Sequence, residues 1–392
     1  GSLPGIRKMG DETMIYLDNS ATTRTLPQAA ERAMAAMTED YFNPSAAYSP
    51  AVAVERAVNA ARVTIAGAIG GSADELIFTS GGTESNNMAI FGSLGVMRGS
   101  GRIIVGATEH PSVFEPFRSL EKRYNVQTAA VDGQGRIDID AFARLVTADT
   151  LLVSIMQVNN EVGAVNEIAA LNRILKAKAP HALLHVDGVQ GFLKVPFRAR
   201  DCDLYTISGH KFHAPKGVGA LYVKKGVRIA GGLMGGGQEN NLRSGTTNAP
   251  GVLAMETAVK DYLQHAEAYR AGMMECKMRL YQNLIRLPDV ALNGPEPAQG
   301  APHILNMSFL GVRGEVLLHA LEENSIFVAT GSACSAHKKG KNRILAAMGI
   351  EGARQEGAIR FSLCHDNTLA EMDETAAAVE VALFTLRRFK RR

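Results

Sequence analysis

The chain has 392 residues, more than one hydrophobic core usually fills, so two domains are expected. A hydrophobic content of 46% suits a globular protein with a sizeable core, and a net charge of +3 supplies no dense basic field, which argues against nucleic acid as a partner. No apolar run reaches the roughly 18 residues that span a bilayer, so a soluble protein with no membrane partner is expected.

The opening "GSLPGIRKMGDET" has no apolar signal-peptide core, and its first two residues read as the remnant of a tag, so the fold is expected to begin near Met14. "MIYLD" then predicts a strand. Pro27 suits the first turn of the helix "PQAAERAMAAM", and "AVERAVNAARVTIAGAIGG" reads as a helix stopped by Gly70 and Gly71. "ELIFTS", "RIIVGAT", "LLVSIMQV", "ALLHVD" and "DLYTIS" predict strands alternating with helical stretches, the pattern of a mostly parallel α/β sheet flanked by helices. Ligands of such sheets bind beyond the carboxyl ends of the strands, and those ends carry "GGTES", "EHPS", "NNEVG", "DGVQ" and "GHKFH", which one pocket could collect. A long helix is expected from about Pro250 to Leu287. Beyond it, "HILNMSFLGV", "GEVLLHALEEN", "IFVAT", "AIRFSL" and a final helix predict a smaller α+β unit. The predicted division is a large domain over 15–261 and a small domain over 262–392 joined by residues 1–14.

Cys202, Cys276, Cys334 and Cys364 show no CxxC and no regular spacing, which predicts neither a structural zinc site nor a disulfide framework, but free thiols in a reducing cytoplasm. No metal site is predicted. Cys334 lies in "VATGSACSAHKKGK", where His337, Lys338, Lys339 and Lys341 would favour a thiolate; the same composition also describes a solvated loop.

Gly81-Gly82-Thr83-Glu84-Ser85 lies at a strand-to-helix turn, where free N–H groups can hold a phosphate or simply cap a helix. It is neither a dinucleotide fingerprint nor an NTP P-loop. In "SGHKFHAPKGVGALYV", Lys211 follows a strand between His210 and His213, a cation-rich setting in which an amine can lose its proton and form a Schiff base. Asp187 ends the preceding strand, where a carboxylate could pair with a protonated ring nitrogen. Lysine, aspartate and phosphate cup together are what pyridoxal phosphate requires.

The series "YLDNSATT", "FTSGGTESNN", "TEHPSV", "VNNEVGAV", "HVDGVQ", "SGHKFHAPKGVGALYV", "GGGQENNLRSGT" and "GSACS" resembles the cysteine desulfurases of the NifS/IscS kind, in the class V aminotransferase group of fold-type-I pyridoxal-phosphate enzymes. That resemblance implies that Lys211 holds pyridoxal 5′-phosphate and later moves the Cα proton of the substrate. It implies that Asp187 keeps the pyridine nitrogen protonated, that His110 lies on the ring face, that Gln190 bonds the phenolic oxygen, and that Asn160 lies near that oxygen and the substrate. Gly82, Thr83, Ser208 and His210 would hold the phosphate, with Thr246 reaching it from the second subunit of a homodimer. Arg360 would bind the carboxylate of L-cysteine, and Cys334 would take the sulfur as a persulfide and pass it to an acceptor, such as an iron–sulfur scaffold protein or a thiolation partner. Arg243 would line the substrate entrance or fix the glycine-rich loop.

Two features depart from the family pattern. Tyr48 stands near a place where a histidine is common, and Cys364 follows the "AIRFSL" strand where glycine is usual, as a sulfur relay or an inert filler. The basic run after Cys334 is read as choosing the acceptor. Alternatives on the same fold are a selenocysteine lyase or another class V aminotransferase-type enzyme, neither of which needs Cys334, or a regulatory paralogue without turnover. Intact Lys211, Asp187, His110 and Arg360 argue against the last.

Overall fold

The computed structural model describes residues 14–331 and 342–389. The chain runs through β1 (Ile15–Tyr16), α1 (Pro27–Thr38), α2 (Ser49–Gly67), β2 (Leu76–Thr79), α3 (Gly82–Val96), β3 (Arg102–Gly106), α4 (Pro111–Ser119), β4 (Asn125–Ala129), α5 (Ile139–Leu145), β5 (Thr150–Met156), α6 (Ile168–Lys178), β6 (Leu183–Asp187), β7 (Leu204–Ser208) and β8 (Gly219–Val223). After α7 (Ala249–Leu284) come β9 (Val290–Asn293), β10 (Ile304–Phe309), α8 (Gly314–Glu322), β11 (Ile326–Phe327), α9 (Arg343–Ala347), α10 (Gly352–Glu356), β12 (Ala358–Ser362) and α11 (Leu369–Phe389).

Strands β2-β8-β7-β6-β5-β3-β4 form a seven-stranded sheet. β7, β6, β5, β3 and β4 are parallel, and β8 runs antiparallel to both β7 and β2. The central strands are buried along almost their whole length, which is why they read as continuous apolar runs rather than as alternating ones. Two strands escape that reading. β4 is a half-exposed edge strand of sequence NVQTA, with no apolar run to announce it. β8 lies inside "GVGALYV"; it turns back on β7 because the connection between them is too short for the crossover that a parallel neighbour needs.

A second, antiparallel sheet has the order β12-β10-β9. β1 does not join the large sheet: Ile15 and Tyr16 pair in parallel with Ile326 and Phe327 of β11, and Ile15 and Leu17 enter a core with Leu305, Phe309, Ile359 and Phe361. α7 spans both cores. Val252, Met255, Val259 and Tyr262 of its first half pack under the large sheet, while Cys276, Leu280 and Leu284 pack in the second core. One continuous helix therefore holds the two packing units together. Among the described residues no helix is long and apolar enough to cross a membrane.

Candidate active site

A cavity of about 270 Å³ opens at the carboxyl ends of the parallel strands. All five strand-end segments reach it: Gly82 and Thr83, His110 and Ser112, Asn160, Asp187 and Gln190, and Ser208, His210 and Lys211. The parallel register brings Asp187 at the end of β6 beside Thr206 of β7, and the next turn of chain, Gly209–Lys211, carries the lysine.

Each charged group on this wall is held. Lys211 Nζ donates to the carbonyls of Ser20 (2.6 Å) and Ala21 (2.7 Å), and Gln190 Nε2 donates to the same Ser20 carbonyl (2.9 Å). Asp187 accepts from Asn86 Nδ2 (2.9 Å) and from the Val189 amide (3.0 Å). Asn86 Nδ2 also donates to Ser112 Oγ (2.9 Å), and Ser112 Oγ lies 2.8 Å from His110 Nδ1. His110 Nδ1 accepts from the Ser112 amide (3.1 Å) as the N-cap of α4, so its proton belongs on Nε2. Burial, with the nearby Lys211 cation, lowers the His110 pKa against the opposing pull of Asp187, and the ring stays neutral. His210, whose Nδ1 meets Thr22 Oγ1 at 3.1 Å, is lowered to about 4 by burial and by Lys211.

At the turn into α3, Gly81 has φ +147, and a Cβ on Gly82 would lie 2.8 Å from Val189 Cγ2. Gly82 thus keeps the helix N-terminus close to the segment after β6, where its amides and dipole favour an anion.

The opposite wall comes from the second packing unit. Arg360, on β12, is 2% exposed; Nη1 donates to the Asn160 carbonyl (3.0 Å) and Nη2 to Asp18 Oδ1 (2.6 Å). An arginine on an edge strand is here a cavity residue, because the segment after β1, around Asp18, and Ala329 after β11 cover that edge. Four buried polar atoms on residues lining the cavity have no hydrogen-bond partner among the described residues: Ser20 Oγ, Asn86 Oδ1, Asn160 Oδ1 and Arg360 Nε. Buried polar atoms are rarely left so, and the cavity is therefore made for a polar ligand.

The backbone before His110 is fixed from below. Glu109 is fully buried, its carboxyl pushed well up by burial, and it accepts from the Met156 amide at 2.8 Å. Arg343 donates to the carbonyls of Ala107 and Glu109 and covers the Phe114 ring at 4.1 Å. Asn342, where the described chain resumes, donates to Glu161 (2.6 Å) and caps α9.

Other residues singled out in the sequence lie elsewhere. Cys334, His337, Lys338, Lys339 and Lys341 fall outside the described residues. Thr246 is exposed and does not line the cavity of its own chain. Arg243 pairs with Glu84 (Nε to Oε1, 2.8 Å) and so ties the glycine-rich loop to the first turn of α3. Tyr48 is exposed and packs edge-on against Phe42 rather than lining the cavity. Cys202, Cys276 and Cys364 are free and buried, and burial pushes the Cys364 thiol up to about 12, which suits a filler rather than a nucleophile. The roles of Ser20, Ala21, Asn86, Ser112 and Asp18 went unread. "YLDNSATT" and "GGTESNN" contain four of them, but only three-dimensional pairing shows that they hold Lys211, Asp187 and Arg360.

Chemically, the cavity offers an amine for a carbonyl, a buried carboxylate for a basic ring nitrogen, a neutral imidazole, an anion seat at α3 and a guanidinium for a carboxylate. These donors fit a small phosphorylated aldehyde together with an amino-acid substrate. A family model described as "Aminotransferase class-V" matches residues 15–374. The chain is 38% identical over 365 residues to a "Cysteine desulfurase" of Trichormus azollae, covering 92% of this chain and 90% of that one. It is 35% identical over 365 residues to a "Cysteine desulfurase IscS" of Clostridium botulinum, covering 92% and 91%. Among solved structures, a "NIFS-LIKE PROTEIN" superposes with a TM-score of 0.89 at 34% identity, covering 95% of this chain and all of the other. The match over most of the chain agrees with the strand-end cavity, and the chain belongs to the aminotransferase class-V family.

Proposed function

We propose that the protein is a pyridoxal 5′-phosphate-dependent cysteine desulfurase, converting L-cysteine to L-alanine and passing the sulfur through Cys334 to an acceptor for iron–sulfur cluster assembly or thiolation. The observation that carries this reading is the convergence of Lys211, Asp187, His110 and Arg360 on one cavity, in a chain 38% identical to a cysteine desulfurase. When bound, pyridoxal phosphate supplies an electron sink for the substrate's Cα carbanion.

The chain's own residues divide the remaining work. Lys211, as the neutral amine, would hold the cofactor's aldehyde carbon, and once released would carry the substrate's Cα proton as an ammonium, the form that the Ser20 and Ala21 carbonyls hold. Asp187, steadied by Asn86 and Val189, keeps a proton on the ring nitrogen. Neutral His110 presents Nε2–H and a flat ring, suited to stacking and proton exchange. Gln190 serves the phenolic oxygen, and Asn160 that oxygen and the substrate. Gly82, Thr83, Ser208 and His210 seat the phosphate, and Thr246 of a second copy completes the seat. The exposure of Thr246, and of Met234 at 99%, suits such a homodimer. Arg360 takes the substrate carboxylate. The Cys334 thiolate forms a bond to the substrate sulfur while the carbon–sulfur bond breaks, its electron pair staying with the three-carbon skeleton, which is protonated to alanine.

A division at 15–261 and 262–392 falls within α7, just before Tyr262, the last of the buried residues it gives to the large-sheet core, and ahead of Cys276, the first it gives to the second core. The free thiols suit a reducing compartment such as the cytoplasm. The test is Cys334→Ala with L-cysteine. Sulfide release is expected to vanish while the holoenzyme keeps its visible absorbance; release at the wild-type rate overturns the persulfide route. L-Selenocysteine assayed in parallel separates a lyase, which would tolerate this change.

A further inference from the structure

We propose that His213, His365 and Asp366 form a binding site for a divalent transition metal of the zinc class, outside the cavity described above. One ligand atom from each of the three lies within 4.8 Å of the other two. His213 Nδ1 is 2.8 Å from the Arg24 carbonyl, which can only accept; the ring proton therefore sits on Nδ1, and Nε2 carries a bare lone pair. That Nε2 has no hydrogen-bond partner among the described residues, although His213 is 1% exposed. The His365 side chain is 9% exposed, its Nδ1 is likewise without a partner, and its Nε2 lies 3.4 Å from Asp366 Oδ1.

The cluster is held in place before any ion arrives. The His365 ring stacks on Tyr269 at 3.9 Å and 7°, and meets Tyr262 edge-on at 5.7 Å. Its centroid is 4.5 Å from that of His213. Burial, then the neighbouring His365, drives the His213 pKa to about 3, and burial lowers that of His365, so both rings are neutral, as metal ligands must be. The other charged groups facing them are Asp261, His265 and Lys194, the last a buried amine pulled down to about 7. Two imidazoles and a carboxylate are borderline donors that select zinc and its neighbours over calcium or magnesium. Asp366 is 68% exposed in its side chain, which gives an ion an entry path, lets the carboxylate swing to close the coordination distance, and leaves a fourth position for water.

The site joins distant parts of the chain. His213 follows Lys211 by two residues, and His365 follows Arg360 by five, so a bound ion clips the lysine turn to the strand that carries the arginine. The inference does not depend on the desulfurase reading. Its test uses metal-stripped holoenzyme in a Cys334→Ala background, which removes a competing thiol, titrated with Zn²⁺ by equilibrium dialysis and with Co²⁺ as a spectroscopic probe. Expected are a saturable equivalent per chain with a tetrahedral Co²⁺ band in the visible, its loss in His365→Gln, and affinity weakened by about tenfold or more in Asp366→Asn. Absence of a saturable equivalent, or binding untouched by both substitutions, overturns the site in favour of a water between the two rings. Should His365→Gln fail to fold, Asp366→Asn decides alone, because its exposed carboxylate carries no packing: unchanged affinity there overturns the proposal.

Discussion

The two walls of the cavity are built in different ways. On the large-sheet wall, Asp187, His110 and Lys211 stand at the ends of parallel strands or in the turns that follow; Asp187 and His110 find their partners, Asn86, Val189 and Ser112, in the same packing unit, and Lys211 finds its own on the strap at Ser20 and Ala21, which Ser362 ties to β12. On the other wall, Arg360 reaches Asn160 and Asp18 across 200 and 342 residues of sequence and arrives on a different sheet. Both walls keep buried polar atoms without a partner among the described residues: Arg360 Nε on this one, and Ser20 Oγ, Asn86 Oδ1 and Asn160 Oδ1 on the other. The large-sheet wall fixes its charges for a resident group. The Arg360 wall offers a single guanidinium, held at both Nη atoms and open at Nε, which suits a carboxylate that comes and goes.

Arg360→Lys presses hardest on this contrast. Lysine keeps the charge but loses the fork that can hold Asp18, the Asn160 carbonyl and a carboxylate at once. Loss of a hydrogen bond between charged groups costs about 1.5–3 kcal/mol, so KM for L-cysteine should rise roughly 10- to 100-fold with a smaller change in kcat. A kcat that falls while KM holds would place Arg360 with the fixed wall instead. Ser112→Ala probes the other side more gently. The His110 lone pair keeps the Ser112 amide but loses the hydroxyl donor that favours the neutral ring. The His110 pKa should therefore rise, moving the acid limb of the rate profile to higher pH, with kcat down by roughly fivefold for a bond worth about 1 kcal/mol. An unmoved acid limb would mean that Ser112 does not position His110.

The same contrast explains what the sequence made legible. The large-sheet wall consists of short motifs at strand ends, where apolar runs stop and polar residues begin, so Gly82, His110, Asp187 and Lys211 could be assigned to one pocket from the linear pattern. Their supports could not. Asn86 sits in the polar first turns of α3, where nothing in the letters tells a buried partner from a solvated side chain, and Ser20 and Ala21 act through backbone carbonyls, which carry no residue signature. β1 lies inside the 15–261 expected for the large domain, yet Ile15 and Leu17 pack in the second core, because strand pairing over more than 300 residues leaves no local trace. The His213–His365 cluster was invisible for the same reason: a search for cysteine spacing finds no pair of histidines brought together by two packing units.

His185 lies one turn of pleat below Asp187 on β6 and tests whether the large-sheet wall rests on a neutral foundation. It is fully buried, with Ser154 Oγ at 2.7 Å from Nδ1 and Thr206 Oγ1 at 3.0 Å from Nε2, and burial lowers its pKa to about 4 against a partial opposing pull from Asp187. The unfolded chain, with a histidine pKa near 6.5, binds more protons than the folded one between about pH 4 and 6.5. Stability from this group is therefore complete above pH 6.5, falls as the pH drops through that window, and stops changing below about 4. His185→Gln keeps a donor and an acceptor for the two hydroxyls but cannot titrate. Urea unfolding should then show the loss between pH 7 and pH 5 shrink by about 2 kcal/mol relative to wild type, while His210 and His213, lowered to about 4 and 3, keep their own share. An unchanged pH dependence in His185→Gln would mean that the ring takes up its proton as readily in the fold as in the unfolded chain, so that the sheet beneath Asp187 gains a charge as the pH falls through 6.5.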